Sequence, residues 1–173
     1  WFQAPKKNQF VLVYFHGNAG SIADRASKVR PYLEAGFGVL LTGYRGFGGN
    51  PGSPTELGLY EDASLVLEHL KKVGIPPNRW VFYGESLGTA VATEMAYQYA
   101  LLHTPVSSVV LEAPFTSMGD AAAVHYPFLP VRLLVRDRYD SSSKIAKIDA
   151  PLMVVHGTKD LTIPQKLGQN LFE

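Results

Sequence analysis

Cysteine is absent from the 173 residues, which excludes disulfide frameworks, thiolate zinc sites and a cysteine nucleophile. A dominant charge is also lacking. Lys and Arg number 16 against 15 Asp and Glu, a formal net charge of +1, so no global field directs the chain toward nucleic acid or an acidic partner. No apolar run reaches the roughly 20 residues of a membrane span, and no signal peptide opens the chain. Trp1 lies close to a strong strand, which leaves room for an anchor upstream. The compartment stays open, because a chain without cysteine fits an oxidising or a reducing one. Phosphate-binding glycine patterns are missing at the first glycine loop, and neither a cofactor nor a metal site is expected. What remains is ordinary globular material, 46% hydrophobic and 18% charged, long enough for one domain over 1–173 with a real core.

Short β-rich apolar runs alternate with longer amphipathic ones, the pattern of a buried parallel sheet built from βα units. Strands are expected at 10–15, 38–42, 80–83, 106–111 and 151–156. Ser21 is placed as the N-cap of a helix with Ile22, Ala26, Val29 and Leu33 inward, kinked at Pro31 and ended by Gly36. The segment 44–55, with glycines at 46, 48, 49 and 52 and prolines at 51 and 54, reads as a long loop. A helix over 55–73 carries Leu59, Ala63, Val66, Leu67 and Leu70 on one face. A helix apolar nearly all round follows Ser86 to about Ala100 and is expected to be central. Residues 114–148 read as irregular and partly helical.

Gly84-Glu85-Ser86-Leu87-Gly88 joins a strand to a helix. A serine on so sharp a turn lifts its hydroxyl above the sheet edge, and side chains two residues away on either side would strike neighbouring backbone, hence Gly84 and Gly88. The Leu87 amide, at the helix N-terminus, is aimed at a developing oxyanion. The plainer alternative is a glycine-rich turn that packs helix on strand. In His16-Gly17-Asn18-Ala19-Gly20, the Asn18 amide is the candidate second donor, and His16 is taken as a brace for the loop beside Gly17 rather than a base. Asp160 follows the last strand, on the sheet edge where ligands bind in open α/β sheets. It fits an orienting acid in the order Ser…Asp…His, or an Asx-turn residue. No histidine follows it before Glu173. Of the five present, His69 lies off the core stripe of its helix, His103 follows a helix end, His156 closes a strand and packs, and His125 alone lies where it could overhang the site. The simpler expectation places the histidine outside these residues.

The motifs His-Gly-Asn-Ala-Gly (16–20), Tyr-Arg-Gly-Phe-Gly (44–48), Gly-Glu-Ser-Leu-Gly (84–88), Glu-Ala-Pro-Phe-Thr-Ser (112–117) and His-Gly-x-x-Asp-x-x-x-Pro (156–164) together resemble the α/β-hydrolase superfamily. The similarity is to the esterase and thioesterase branch that includes membrane-anchored depalmitoylase-like enzymes and their bacterial relatives. It implies a three-layer α/β/α sandwich with a mostly parallel sheet, Ser86 as nucleophile, Asp160 as acid, and the Asn18 and Leu87 amides as the oxyanion hole. It also implies antiparallel strands ahead of the first strand and a final strand, histidine loop and helix after Asp160. Neither is legible here, so the fold is expected to be truncated at both ends, with the last strand an unpaired edge.

Residues 114–148 stand where this fold usually inserts a cap. Their apolar side chains suit either an acyl pocket or plain packing on the sheet. Arg132, Arg136 and Arg138 suit an anionic head group or a solvated face, and Arg45 is expected to pair with Glu112 or Asp62. Two functions are carried forward. One is hydrolysis of a small acyl ester or thioester through an acyl-enzyme. The other is a catalytically incomplete hydrolase-fold binding module.

Overall fold

The computed structural model describes every residue from Trp1 to Glu173. Six strands form one sheet in the order β1-β3-β2-β4-β5-β6. These are β1 (Phe2–Gln3), β2 (Val11–Phe15), β3 (Gly38–Thr42), β4 (Trp80–Glu85), β5 (Ser108–Glu112) and β6 (Leu152–Val155). All neighbours are parallel except β1 on β3. β2 and β3 are buried at every residue, because a parallel sheet is covered on both faces.

The two faces are unequal. Helix α1 (Ala26–Glu34) covers one with a small cluster of Leu12, Tyr14, Val29, Val39 and Leu41. The other carries α2 (Glu56–Lys72) and α3 (Leu87–Leu101), whose side chains join those of Val11, Val13, Phe15 and Phe82 in the main core. Helix α3 lies centrally, against α2, β4 and β5, which is why small and apolar residues surround it on all sides. Thr55 caps α2 by accepting from the Gly58 N–H at 3.1 Å. Segment 43–55 is the expected loop, and Arg45 staples it to α2. Its backbone N–H and guanidinium reach the Asp62 carboxylate at 2.8 and 2.7 Å.

Several expectations need correction. A short strand does precede β2: Phe2–Gln3 pairs antiparallel with β3, extended by reciprocal bonds between Trp1 and Leu41. Helix α1 begins only after a 3-10 turn over Ile22–Arg25 and runs through Pro31 to Glu34. Of its expected stripe only Val29 is fully buried, since α1 is an outer helix. Strand β5 starts at Ser108 rather than Val106. β6 is the edge expected of it, with Met153 and Val155 exposed. Between β5 and β6 stand three short helices, α4 (Met118–His125), α5 (Val131–Leu134) and α6 (Ser142–Ile145), and α7 (Gln165–Phe172) closes the chain.

Leu70 and Leu65 both lie on α2, the first wholly buried and the second exposed. Leu70→Ala is expected to cost about 2–5 kcal/mol through lost transfer energy and a cavity, whereas Leu65→Ala stays within about 0.5 kcal/mol. Urea unfolding monitored by circular dichroism measures both.

Candidate active site

Strand β4 ends at Glu85 and α3 begins at Leu87, so a single residue turns the chain. That residue is Ser86, at φ 50° and ψ −116°, a region that costs a side-chain-bearing residue about 1–3 kcal/mol. Neighbouring bonds hold it there. Its N–H donates to the Glu112 carbonyl at 2.9 Å, and its carbonyl accepts the Thr89 N–H at 2.9 Å and the Thr89 hydroxyl at 2.6 Å. Glycine is required on both sides. A Cβ on Gly84 would lie 2.6 Å from the Gly88 carbonyl oxygen and from Thr89 Cα. One on Gly88 would run into the Phe15 carbonyl.

The loop after β2 meets this turn directly, since a Cβ on Gly17 would be 3.2 Å from Ser86 Cβ. His16 is only 1% exposed. Its Nδ1–H donates to the Gly17 carbonyl at 2.7 Å, and its ring packs on Tyr44 and Phe47. Burial pushes its pKa below the ordinary value, against the pull of the Gly17 carbonyl. His16 is thus packed within the loop that carries Gly17 and Asn18.

Ser86, Leu87 and Asn18 share the wall of one cavity of about 440 Å³. The Leu87 N–H is the first of α3 and has no intrahelical acceptor, and no hydrogen bond within the chain uses the Asn18 N–H. Phe47 and Pro54 of the glycine-rich loop, Phe115, Met118 and Tyr139 from between β5 and β6, and Thr162 and Ile163 complete most of the wall. Asp160 is not itself in it. Its Oδ1 accepts the N–H groups of Thr162 and Ile163 at 2.8 and 2.9 Å, an Asx-type turn that shapes the wall, and its Oδ2 lies 3.7 Å from His156 Nε2. The two sequence readings of Asp160 are therefore compatible, because one oxygen builds the turn and the other is free of internal hydrogen bonds.

No histidine lines the cavity. His156 donates from Nε2 to the Ile163 carbonyl at 2.7 Å and packs under the Asp160 turn. His125 donates to the Thr162 carbonyl at 2.8 Å, which joins α4 to the same turn. His69 meets Phe2 edge-on, and His103 sits exposed in a turn after α3.

Sequence reasoning missed a polar cluster beneath the turn. On the α1 face, Glu85 and Glu112 stand opposite each other in register. Arg25 holds Glu85 through two bonds, of 2.7 and 3.3 Å. Lys28 Nζ bridges the two carboxylates at 3.5 and 2.5 Å. Tyr14 donates to Glu85 and Tyr83 to Glu112, their rings stacked 4.9 Å apart. Burial raises the pKa of Glu85, but the hydrogen bonds from Arg25 and Tyr14 and the charges of Lys28 and Arg25 outweigh it, and the carboxyl is held below its ordinary 4.5. The available signal was a glutamate at the end of a buried strand, which demands a cation. Arg45 pairs with Asp62 and with Glu61, and not with Glu112.

Two predictions arise from this geometry. Gly88→Ala forces backbone apart and is expected to destabilise by about 3 kcal/mol or more, read as a lowered urea midpoint. Glu85→Gln is expected to cost about 1–2 kcal/mol at neutral pH. Because the folded pKa of Glu85 is depressed, its contribution is complete above the ordinary value and is lost as pH falls through the folded one. The variant should therefore differ most from wild type near pH 7 and converge with it in acid. Urea midpoints from pH 7 down to pH 3 test this.

Comparison with known proteins fits these observations. The family described as the alpha/beta hydrolase fold matches residues 11–140. An uncharacterized protein of Mycobacterium tuberculosis is 43% identical over 157 residues, covering 90% of this chain and 54% of its own. The lysophosphatidylserine lipase ABHD12 of Danio rerio is 31% identical over 178 residues, covering 94% and 46%. The crystal structure of an alpha-beta hydrolase from Vibrio vulnificus superposes with a TM-score of 0.82 at 25% identity, over 94% of this chain and 62% of that one. The chain thus spans about half the length of the curated relatives it matches. With its parallel sheet, its strained serine turn and these matches, the chain belongs to the α/β-hydrolase family.

Proposed function

We propose that the protein is a serine hydrolase that cleaves carboxylic ester or thioester bonds through an acyl-enzyme. The observation that carries this reading is Ser86, held at positive φ between β4 and α3 and opening on a cavity beside two N–H groups free of internal partners. In the proposed reaction the Ser86 hydroxyl attacks the acyl carbonyl, and a histidine takes its proton. The N–H groups of Leu87 and Asn18 receive the oxyanion, and the leaving group departs with that proton. Water then attacks the acyl-serine and releases the acid. The free Oδ2 of Asp160 orients the imidazole. The five histidines of these residues are engaged or distant as described above, so the reading assigns the base to a residue outside the 173. The wall built from 114–148 acts as a cap over the acyl chain, supported by Phe115, Met118, Val135 and Tyr139. A lipid ester as substrate is favoured by the similarity to a lysophosphatidylserine lipase.

The absence of a histidine from the cavity wall favours a second reading, a binding module on a hydrolase fold. One experiment separates them. The full-length protein and its Ser86→Ala variant are compared for p-nitrophenyl butyrate turnover and for labelling by a fluorophosphonate. Hydrolysis predicts labelling at Ser86 and a loss of about 10⁴-fold or more in kcat in the variant. Equal rates and no labelling would leave the binding module standing.

A further inference from the structure

Asn18 brings a free N–H to the Ser86 cavity, yet the loop that carries it has little of its own to hold it. Gly17, Asn18, Ala19 and Gly20 donate no N–H to another backbone group, and the Gly17 carbonyl accepts only from the His16 ring. A segment so poor in internal bonds keeps one shape only when its ends are fixed from outside.

Both ends rest on one ion pair. At the near end, a Cβ on Gly17 would lie 3.2 Å from the Glu85 carbonyl oxygen and 3.5 Å from Glu85 Oε1. At the far end, a Cβ on Gly20, which stands at φ 75°, would lie 2.8 Å from Arg25 Nη1. Between them the guanidinium grips the carboxylate with a fork. Nη2 donates to Oε1 at 2.7 Å and Nε to Oε2 at 3.3 Å. Nη1 also reaches the Ser21 carbonyl at 3.5 Å, and the Ser21 N–H donates to Asp24 at 2.7 Å. The chain is thus closed into a ring from Gly17 through Gly20 and Arg25 to Glu85. The paired side chains are 11% and 22% exposed, so water and salt screen them less than a surface pair. Lys28 holds Glu85 too, but its other partners are Glu112, Tyr14 and Tyr83, all outside the loop.

We infer that Arg25 is a positioning residue, which through its pair with Glu85 closes the loop 17–20 and sets the Asn18 N–H at the Ser86 cavity. This role rests on the hydrolytic reading, in which that N–H receives the oxyanion. Arg25 meets no reacting atom and acts through Glu85 and Gly20. A lysine keeps the charge but lacks the planar fork that spans both carboxylate oxygens and the loop.

The test uses the full-length protein with Arg25→Met, Arg25→Lys, Glu85→Gln, Lys28→Met and the Arg25→Met, Glu85→Gln double variant, each with circular dichroism unchanged. Turnover of p-nitrophenyl butyrate is measured, together with inhibition by a trifluoromethyl ketone, whose serine adduct carries an oxyanion. Arg25→Met is expected to lower kcat about 10²-fold with KM within about twofold, and to weaken the ketone by a similar factor. Arg25→Lys should recover about tenfold of that loss. Adding Glu85→Gln to Arg25→Met should change kcat by less than about twofold, because the pair acts as one unit. Lys28→Met should stay within about threefold of wild type, since it leaves the fork in place. In nitrogen-15 relaxation, order parameters at 17–20 should fall in Arg25→Met from about 0.85 to below about 0.6. If Arg25→Met does not fold, Arg25→Lys and Glu85→Gln carry the same comparison. A wild type that neither turns over ester nor is labelled at Ser86 sinks the hydrolytic reading, and this role with it. An active wild type sinks the role alone if Arg25→Met keeps its kcat, raises only KM, binds the ketone as before, leaves 17–20 rigid, or loses no more than Lys28→Met.

Discussion

The contact between Gly88 and the end of β2 governs the rest. No side chain fits between the first turn of α3 and the Phe15 carbonyl, so the helix can press its N-terminus onto the sheet edge. Because only one residue separates β4 from α3, that pressure forces Ser86 into its strained conformation. The loop 16–20 leaves β2 one residue after Phe15, which brings Gly17 against Ser86 and sets Asn18 in the same wall as Leu87. One backbone-to-backbone approach thus places the hydroxyl and both free N–H groups. Rigid backbone transmits position better than flexible side chains, and this is the natural place for preorganised donors.

The opposite face of the sheet is held differently. Helix α1 contributes a single fully buried side chain, Val29, too little apolar area to fix it alone. The polar cluster supplies what is missing. Two carboxylates side by side would repel, but Arg25 and Lys28 balance them charge for charge and the two tyrosines donate to them. Arg25 also reaches the Ser21 carbonyl at 3.5 Å. The 3-10 turn, through Arg25, and α1, through Lys28, are thereby both tied to Glu85, the residue before Ser86. The floor of the cavity is fastened from both sides of the sheet.

Continuous apolar runs made β2, β3 and β4 legible in the sequence, a one-faced stripe made α2 legible, and α3 was legible as an apolar, small-residue run after the serine turn. β1 did not emerge, since two residues carry no period. β5 was placed two residues early because Val106 is buried and apolar but precedes the ladder, and an apolar run records burial rather than pairing. At the site, the residues around Ser86 were legible because steric demand fixes glycine at 84 and 88. The cluster of Tyr14, Arg25, Lys28, Glu85 and Glu112 was not, because its members are scattered along the chain and meet only when the sheet forms. Chain order and spacing favoured Asp160 as an acid over a turn former, and in the structure its two oxygens have different neighbours.

The wall between β5 and β6 is built on another principle. Gly119, Ala121 and Val131 are its only fully buried helical residues in α4 and α5. Phe115 and Tyr139 reach from it into the main core, and beside them stands a hub: Asp120 accepts from the hydroxyls of Thr116 and Ser117 at 2.7 and 2.8 Å and from Arg132 at 2.7 Å. Burial opposes its charge, yet these bonds hold its carboxyl below the ordinary range. Helices α4 and α5, which bury few residues of their own, open locally at lower cost than packed backbone. The cavity therefore joins a floor of close backbone contacts to a wall in which α4 and α5 bury fewer residues. The closest packing thus lies around Ser86, and the looser packing lies across the cavity from it.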